Sequence, residues 1–152
     1  MNRSTIARFR SVEAAIAAEK GPFVLFALVL RPDAMGLAST SSTNPQVVDR
    51  WDVLVSAPWM KASGKEDLDY VVKKIQEQMK PDELRGISRV AFVSVDSALA
   101  QGFNSLVEVE HGEGQLTHAQ VGHMLIDRAI VITSRSPENN RARAGRSAVR
   151  RR

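Results

Sequence analysis

The 152 residues contain no cysteine, which removes a disulfide scaffold, a thiolate nucleophile, a zinc-thiolate centre and a cysteine-held iron-sulfur cluster. Aromatic residues make up only 5% of the chain. The longest apolar run, Phe23 to Leu30, has eight residues, against the roughly 20 that a membrane-spanning helix requires. No Gly-x-Ser-x-Gly elbow, Walker sequence or dinucleotide fingerprint occurs, so the common sequence signatures of serine hydrolases and nucleotide-binding loops are missing. A hydrophobic fraction of 43% excludes a natively disordered chain, and the length suits one core of ordinary size.

Acidic residues are missing from the last twelve positions, which hold Arg141, Arg143, Arg146, Arg150, Arg151 and Arg152, six of the 21 basic residues. Without them, positions 1 to 140 carry 15 basic residues against 17 acidic ones, a net charge of −2, so the formal +4 of the whole chain belongs to its tail. We read residues 1–136 as one globular α/β domain, with a flexible loop over 33–45 and a disordered Arg-rich tail over 137–152. Arg3, Arg8 and Arg10 lie among hydroxyl residues near the N-terminus, but Glu13 and Glu19 interrupt any secretory apolar core. The expectation is a soluble, cytoplasmic protein of bacterial type.

Ile6, Phe9, Val12 and Ile16 are spaced as one side of a helix over 4–19, ended by Gly21 and Pro22. Phe23 to Leu30 is apolar on both alternations and predicts a central strand covered on both faces. Trp51 to Ala57 predicts its pairing partner, with Trp51, Val53 and Val55 opposite Asp52, Leu54 and Ser56. Ser63 and Glu66 have the spacing of a capping box for a helix to Met79. Leu68, Val71, Val72, Ile75 and Met79 form its apolar stripe. Pro81 to Gly86 predicts one further helical turn.

Arg89 to Val95 reads as a second central strand, and Asp96 as the cap of a short helix ended by Gly102. Leu106 to Glu110 alternates strictly and predicts a strand, followed by a turn at His111-Gly-Glu-Gly114. Met124 to Thr133 predicts the last strand, with a bulge or an edge at Asp127-Arg128. The elements run αββαβ(α)ββ, which implies an α/β or α+β fold with a mixed five-stranded sheet and packed helices.

Three groups of residues invite chemistry. His111, His118 and His123 are all the histidines of the chain, and Glu108, Glu110, Glu113 and Asp127 share their segment. Imidazole and carboxylate are ligands for zinc or manganese, although spacings of seven and five match no helical ligand pair. Ser56 and Trp59 stand at the end of the second strand and Asp96 at the end of the third. If these strands run parallel, both ends face the crevice where open α/β sheets bind ligands. Asp49 and Asp52 are three apart, which puts them on opposite faces of a strand rather than around one cation.

The Arg tail has the composition that neutralises phosphates, without an aromatic for base stacking. The leading expectation is a non-catalytic interaction or assembly module with the tail for an anionic partner. It has no cofactor, and is a homo-oligomer or bound to a partner protein, with nonspecific nucleic acid as one anionic partner. Two alternatives stand beside it: a divalent-metal-dependent hydrolase or phosphoesterase on His111, His118 and His123, and a nucleotide or small-ligand binder at Ser56, Trp59 and Asp96.

Overall fold

The computed structural model describes residues 1–31, 49–61 and 65–136. The 33–45 loop, the Ser63 half of the capping box and the Arg tail lie outside the described residues. Helix α1 (Arg3–Lys20) is followed by strands β1 (Leu25–Leu30) and β2 (Trp51–Ser56), then by helices α2 (Lys65–Gln78) and α3 (Pro81–Arg85). Strand β3 (Ile87–Phe92), helix α4 (Ala98–Leu106) and strands β4 (Gly114–Val121) and β5 (Met124–Ser134) complete the fold. The strands form one mixed sheet of order β3-β2-β1-β5-β4. Only the β2–β3 pair, joined through α2 and α3, is parallel.

The double alternation of β1 has the predicted consequence. Phe26, Leu28 and Leu30 pack with Phe9, Ile16, Val71 and Ile75 under α1 and α2, while Leu25, Ala27 and Val29 pack with Phe103 under α4. The alternation of β2 follows suit, since Trp51, Val53 and Val55 join the first cluster and Leu54 the second. The sheet is therefore covered on both faces, an α+β arrangement centred on β1. Among the described residues, no helix is long and apolar enough to cross a membrane.

Four local expectations change. β3 is an edge strand, not a central one. Its apolar residues alternate because Val90 and Phe92 pack toward α2 while Ala91 meets the other cluster, yet all stay only partly buried. The strand expected at Leu106–Glu110 does not form, because α4 runs to Leu106 and Val109 makes a single bridge to Ser134. β5 is already paired over Met124–Val131 with Gly114–Val121, which leaves Val109 only the bridge to Ser134, and the alternating Val107 and Val109 pad the cluster beneath α4.

The cap of α4 is Ser97, whose hydroxyl accepts from the Ala100 N–H at 3.1 Å, rather than Asp96. Nor does Gly102 end this helix. A Cβ there would stand 2.7 Å from the Gly122 nitrogen at the tip of the β4–β5 hairpin, so glycine allows the helix and the hairpin to touch. Of the bulge and the edge expected at Asp127 and Arg128, the edge is found. Both residues lie on a local edge, beyond Ala129 where β1 stops covering β5, and the register shift comes at Ile132.

Candidate functional site

A polar cluster joins α1 to the start and end of the β4–β5 hairpin. Glu13 lies four residues after Phe9 and three before Ile16, so the helical period turns its carboxylate to the buried side with them. It is fully buried. A carboxylate in that position requires partners, because desolvating an unpaired charge is costly. Two arrive from distant sequence: the Thr133 hydroxyl donates to Oε1 at 2.9 Å, and the imidazole Nδ1 of His111 donates to Oε2.

The bulge in β5 puts Thr133 within reach. β1 pairs Phe26 with Thr133 but Ala27 with Val131, so Ile132 is the extra residue and Thr133 faces the α1 side along with Ile130 and Ile132. The Thr133 oxygen also accepts from the His111 backbone N–H at 3.1 Å. The His111 carbonyl accepts from two nitrogens of Arg10, Nε at 3.2 Å and Nη2 at 3.1 Å. His111 thus sits at φ 51°, a left-handed conformation unusual for a residue with a Cβ. Its backbone N–H, its carbonyl and its ring are all held from outside, which is how such strain is maintained.

The other ring nitrogen, Nε2, is 3.5 Å from Oε1 of Glu110, and Glu110 pairs in turn with the buried guanidinium of Arg135. The imidazole is 40% exposed. It borders a shallow depression of about 370 Å³ lined by Ala7, Arg10, Ser11, Ala14 and His111. A neighbouring depression of about 270 Å³ is lined by Glu108, Val109, Glu110 and Arg135. A larger one of about 430 Å³ lies at the other end of α1, with Asp49, Asp82 and Glu83 among its lining residues. There the Glu83 carboxylate accepts from the Thr5 hydroxyl at 2.8 Å, the Lys80 backbone N–H at 2.9 Å and the Arg8 guanidinium at 2.8 Å. Burial pushes this carboxyl up, but the three donors together hold it below its usual value.

The three histidines are not brought together. His111 belongs to the Glu13 cluster, His118 donates from Nδ1 to Asp127 at 2.7 Å on an exposed stretch of the hairpin, and His123 sits exposed in its two-residue turn. Among the described residues, no group of three or more His, Asp and Glu side chains is placed to hold a metal ion. Strand β4 separates what the sequence shows as one segment. Asp52, for its part, accepts from Arg89 at 3.3 Å.

Ser56, Trp59 and Asp96 are also dispersed, although β2 and β3 are the parallel neighbours expected. Ser56 partners Leu25 and shares its face of the sheet, buried and with its hydroxyl unpaired. Trp59 packs on the other face, donating to the Gly21 carbonyl at 2.8 Å and meeting Phe23 edge-on at 5.5 Å. Its indole therefore closes the end of α1. Asp96 is exposed, its backbone N–H donating to the Ser94 hydroxyl at 3.3 Å.

One signal for the Glu13 cluster was present in the sequence, a charged residue on the buried side of an amphipathic helix. Its partners gave none, since Thr133 and His111 stand 120 and 98 residues away. Comparison of the chain with protein-family models, with characterised proteins and with solved structures finds no match to any of them.

Proposed function

We propose that this chain is a non-catalytic assembly module whose α+β body is joined to an Arg-rich segment that binds an anionic partner. The carrying observation is the segregation of charge: six arginines and no acid in the last twelve residues, against a net −2 in the rest. Blocks of like charge at a terminus commonly serve as interaction tails. An arginine block without aromatics binds through phosphate contacts and counterion release rather than by reading bases. The decisive experiment compares the full chain with a version ending at Asn140 on single-stranded nucleic acid across a salt series. Six phosphate contacts correspond to a slope of log K against log salt of about −4. Truncation should remove most of that slope and leave the melting temperature of the body nearly unchanged. An unaltered slope would dismiss the tail as the binding element.

On the body side, the proposed partner is a second copy joined through β3. Among the described residues this edge strand leaves one row of backbone groups without a strand neighbour, and its partly exposed Ile87 and Val90 border a small, mainly apolar groove with Val72, Ile75 and Leu84. Antiparallel pairing of β3 with itself about Val90 sets Val90 against Val90, Arg89 against Ala91 and Ser88 against Phe92. No like charges face each other in that register, which favours the same strand as its own complement.

A further inference from the structure

The Glu13 cluster has an outward side that the assembly reading does not use. Two nitrogens of Arg10 are engaged on the His111 carbonyl, which fixes the guanidinium and leaves Nη1 without a partner among the described residues. The Ser11 hydroxyl is exposed beside it, and the partly exposed imidazole of His111 borders the same depression. Ala7 and Ala14 are the remaining lining residues, so the space of about 370 Å³ between the polar groups is kept open by methyl-sized side chains. Behind the imidazole, the buried Glu13 carboxylate accepts from Nδ1 and orients the ring; an imidazolium in that place donates from both nitrogens. The two nearest opposing charges are both engaged: Glu13 by His111 and Thr133, and Glu110, whose Oε1 lies 3.5 Å from Nε2, by Arg135.

From this arrangement we infer a binding site for a phosphate monoester dianion, or for free phosphate, held by Nη1 of Arg10, the hydroxyl of Ser11 and the imidazole of His111. Nη1 of Arg10 carries two N–H donors for phosphate oxygens, and a charge-assisted bond of this kind is about twice as strong as a neutral one. The Ser11 hydroxyl and an imidazolium at His111, which border the same depression, add further donors. Pre-fixing of Arg10 by the His111 carbonyl lowers the ordering cost on binding. The site uses none of the Arg-tail residues, and its test is independent of the tail's.

The test uses the full chain and follows the imidazole resonances of all three histidines at constant pH and ionic strength. Inorganic phosphate and glycerol phosphate are the monoester-type probes, and dimethyl phosphate is the diester probe. The expected result is a saturable shift of the His111 resonances with either dianion, with a midpoint of the order of 1 mM, while His118 and His123 stay still and dimethyl phosphate has little effect. Equal responses to phosphate and glycerol phosphate would identify the phosphoryl group alone as the ligand, and a tighter response to the ester would identify a phosphorylated metabolite.

Arg10→Gln should weaken the midpoint at least tenfold. Ala7→Glu, at an exposed helical position where folding is not at stake, should do the same by placing a carboxylate in the depression. No saturation, a common drift of all three histidines, a preference for the diester, or unchanged binding by Ala7→Glu would each overturn the assignment.

Discussion

Glu13 and His111 lie 98 residues apart in the chain and meet as a buried carboxylate and a half-exposed imidazole, with Thr133 bridging the carboxylate and the His111 backbone. The pair ties α1 to the loop before the terminal hairpin. Breaking it strands a charge, so Glu13→Ala should destabilise the body by about 2–4 kcal/mol and His111→Ala by about 1–3 kcal/mol. Urea unfolding of the two single variants and the double variant should give a coupling energy of at least about 1 kcal/mol. Strictly additive effects would show that the two side chains act independently.

Gly102 offers a test in which propensity and packing predict opposite signs. In a free helix, Gly102→Ala should stabilise by about 1 kcal/mol. Here the added Cβ would stand 2.7 Å from the Gly122 nitrogen and 3.0 Å from Cγ1 of Val121, so a net destabilisation of about 1–3 kcal/mol is expected from overpacking. A raised melting temperature for this variant would mean that the hairpin tip does not rest on α4.

Glu83 governs part of the acid response. Its carboxyl is held below the usual value in the folded state by Lys80, Thr5 and Arg8 against the opposing effect of burial. Its stabilisation is therefore complete above the unfolded-state value and lost as pH falls through the lower folded-state value. Glu83→Gln should be less stable than the parent at neutral pH, and the difference should shrink as the solution is acidified. A difference that stays constant down to about pH 2 would remove Glu83 from the acid transition, since it should be mostly protonated there in the unfolded chain.

The one tyrosine of the chain gives a direct optical reading. Burial of Tyr70, the hydrogen bond it donates to Glu19 and the negative charges of Glu19 and Glu77 push its phenol up to about 12. Ultraviolet titration, with far-ultraviolet circular dichroism confirming the fold, should find the midpoint near that value. Glu19→Gln should lower it. A midpoint at the ordinary phenol value of about 10 in the folded parent would break the Tyr70–Glu19 link.

Self-pairing through β3 should make the assembly concentration-dependent. Sedimentation should show species above 16.7 kDa at high micromolar concentration, with amide exchange in β3 slowing in parallel. A monomer throughout that range, with β3 exchange unaffected, would refute the edge-pairing proposal.

Elements with a local pattern are legible in the amino-acid sequence. β1 announces its central place by being apolar on both alternations, and α2 its buried face by Leu68, Val71, Ile75 and Met79. The parallel β2–β3 pair follows because a strand, a helix of that length and a second strand form a crossover. Alternation misleads at Leu106–Glu110. It records which residues face a core but not which backbone finds a partner, and β5 is already paired with Gly114–Val121.

The candidate sites are the least legible part. Sequence proximity groups three histidines that β4 pulls apart, and Trp59 is drawn to Gly21 and Phe23 on the opposite face from Ser56. Periodicity and charge are properties of the chain alone: which faces are apolar, where the helices run, and that the positive charge is concentrated at one end. The meeting of Glu13 with His111 and Thr133 is a property of the fold, because a buried carboxylate must be paired and its partners come from whichever strands the sheet order and the Ile132 bulge bring beneath α1.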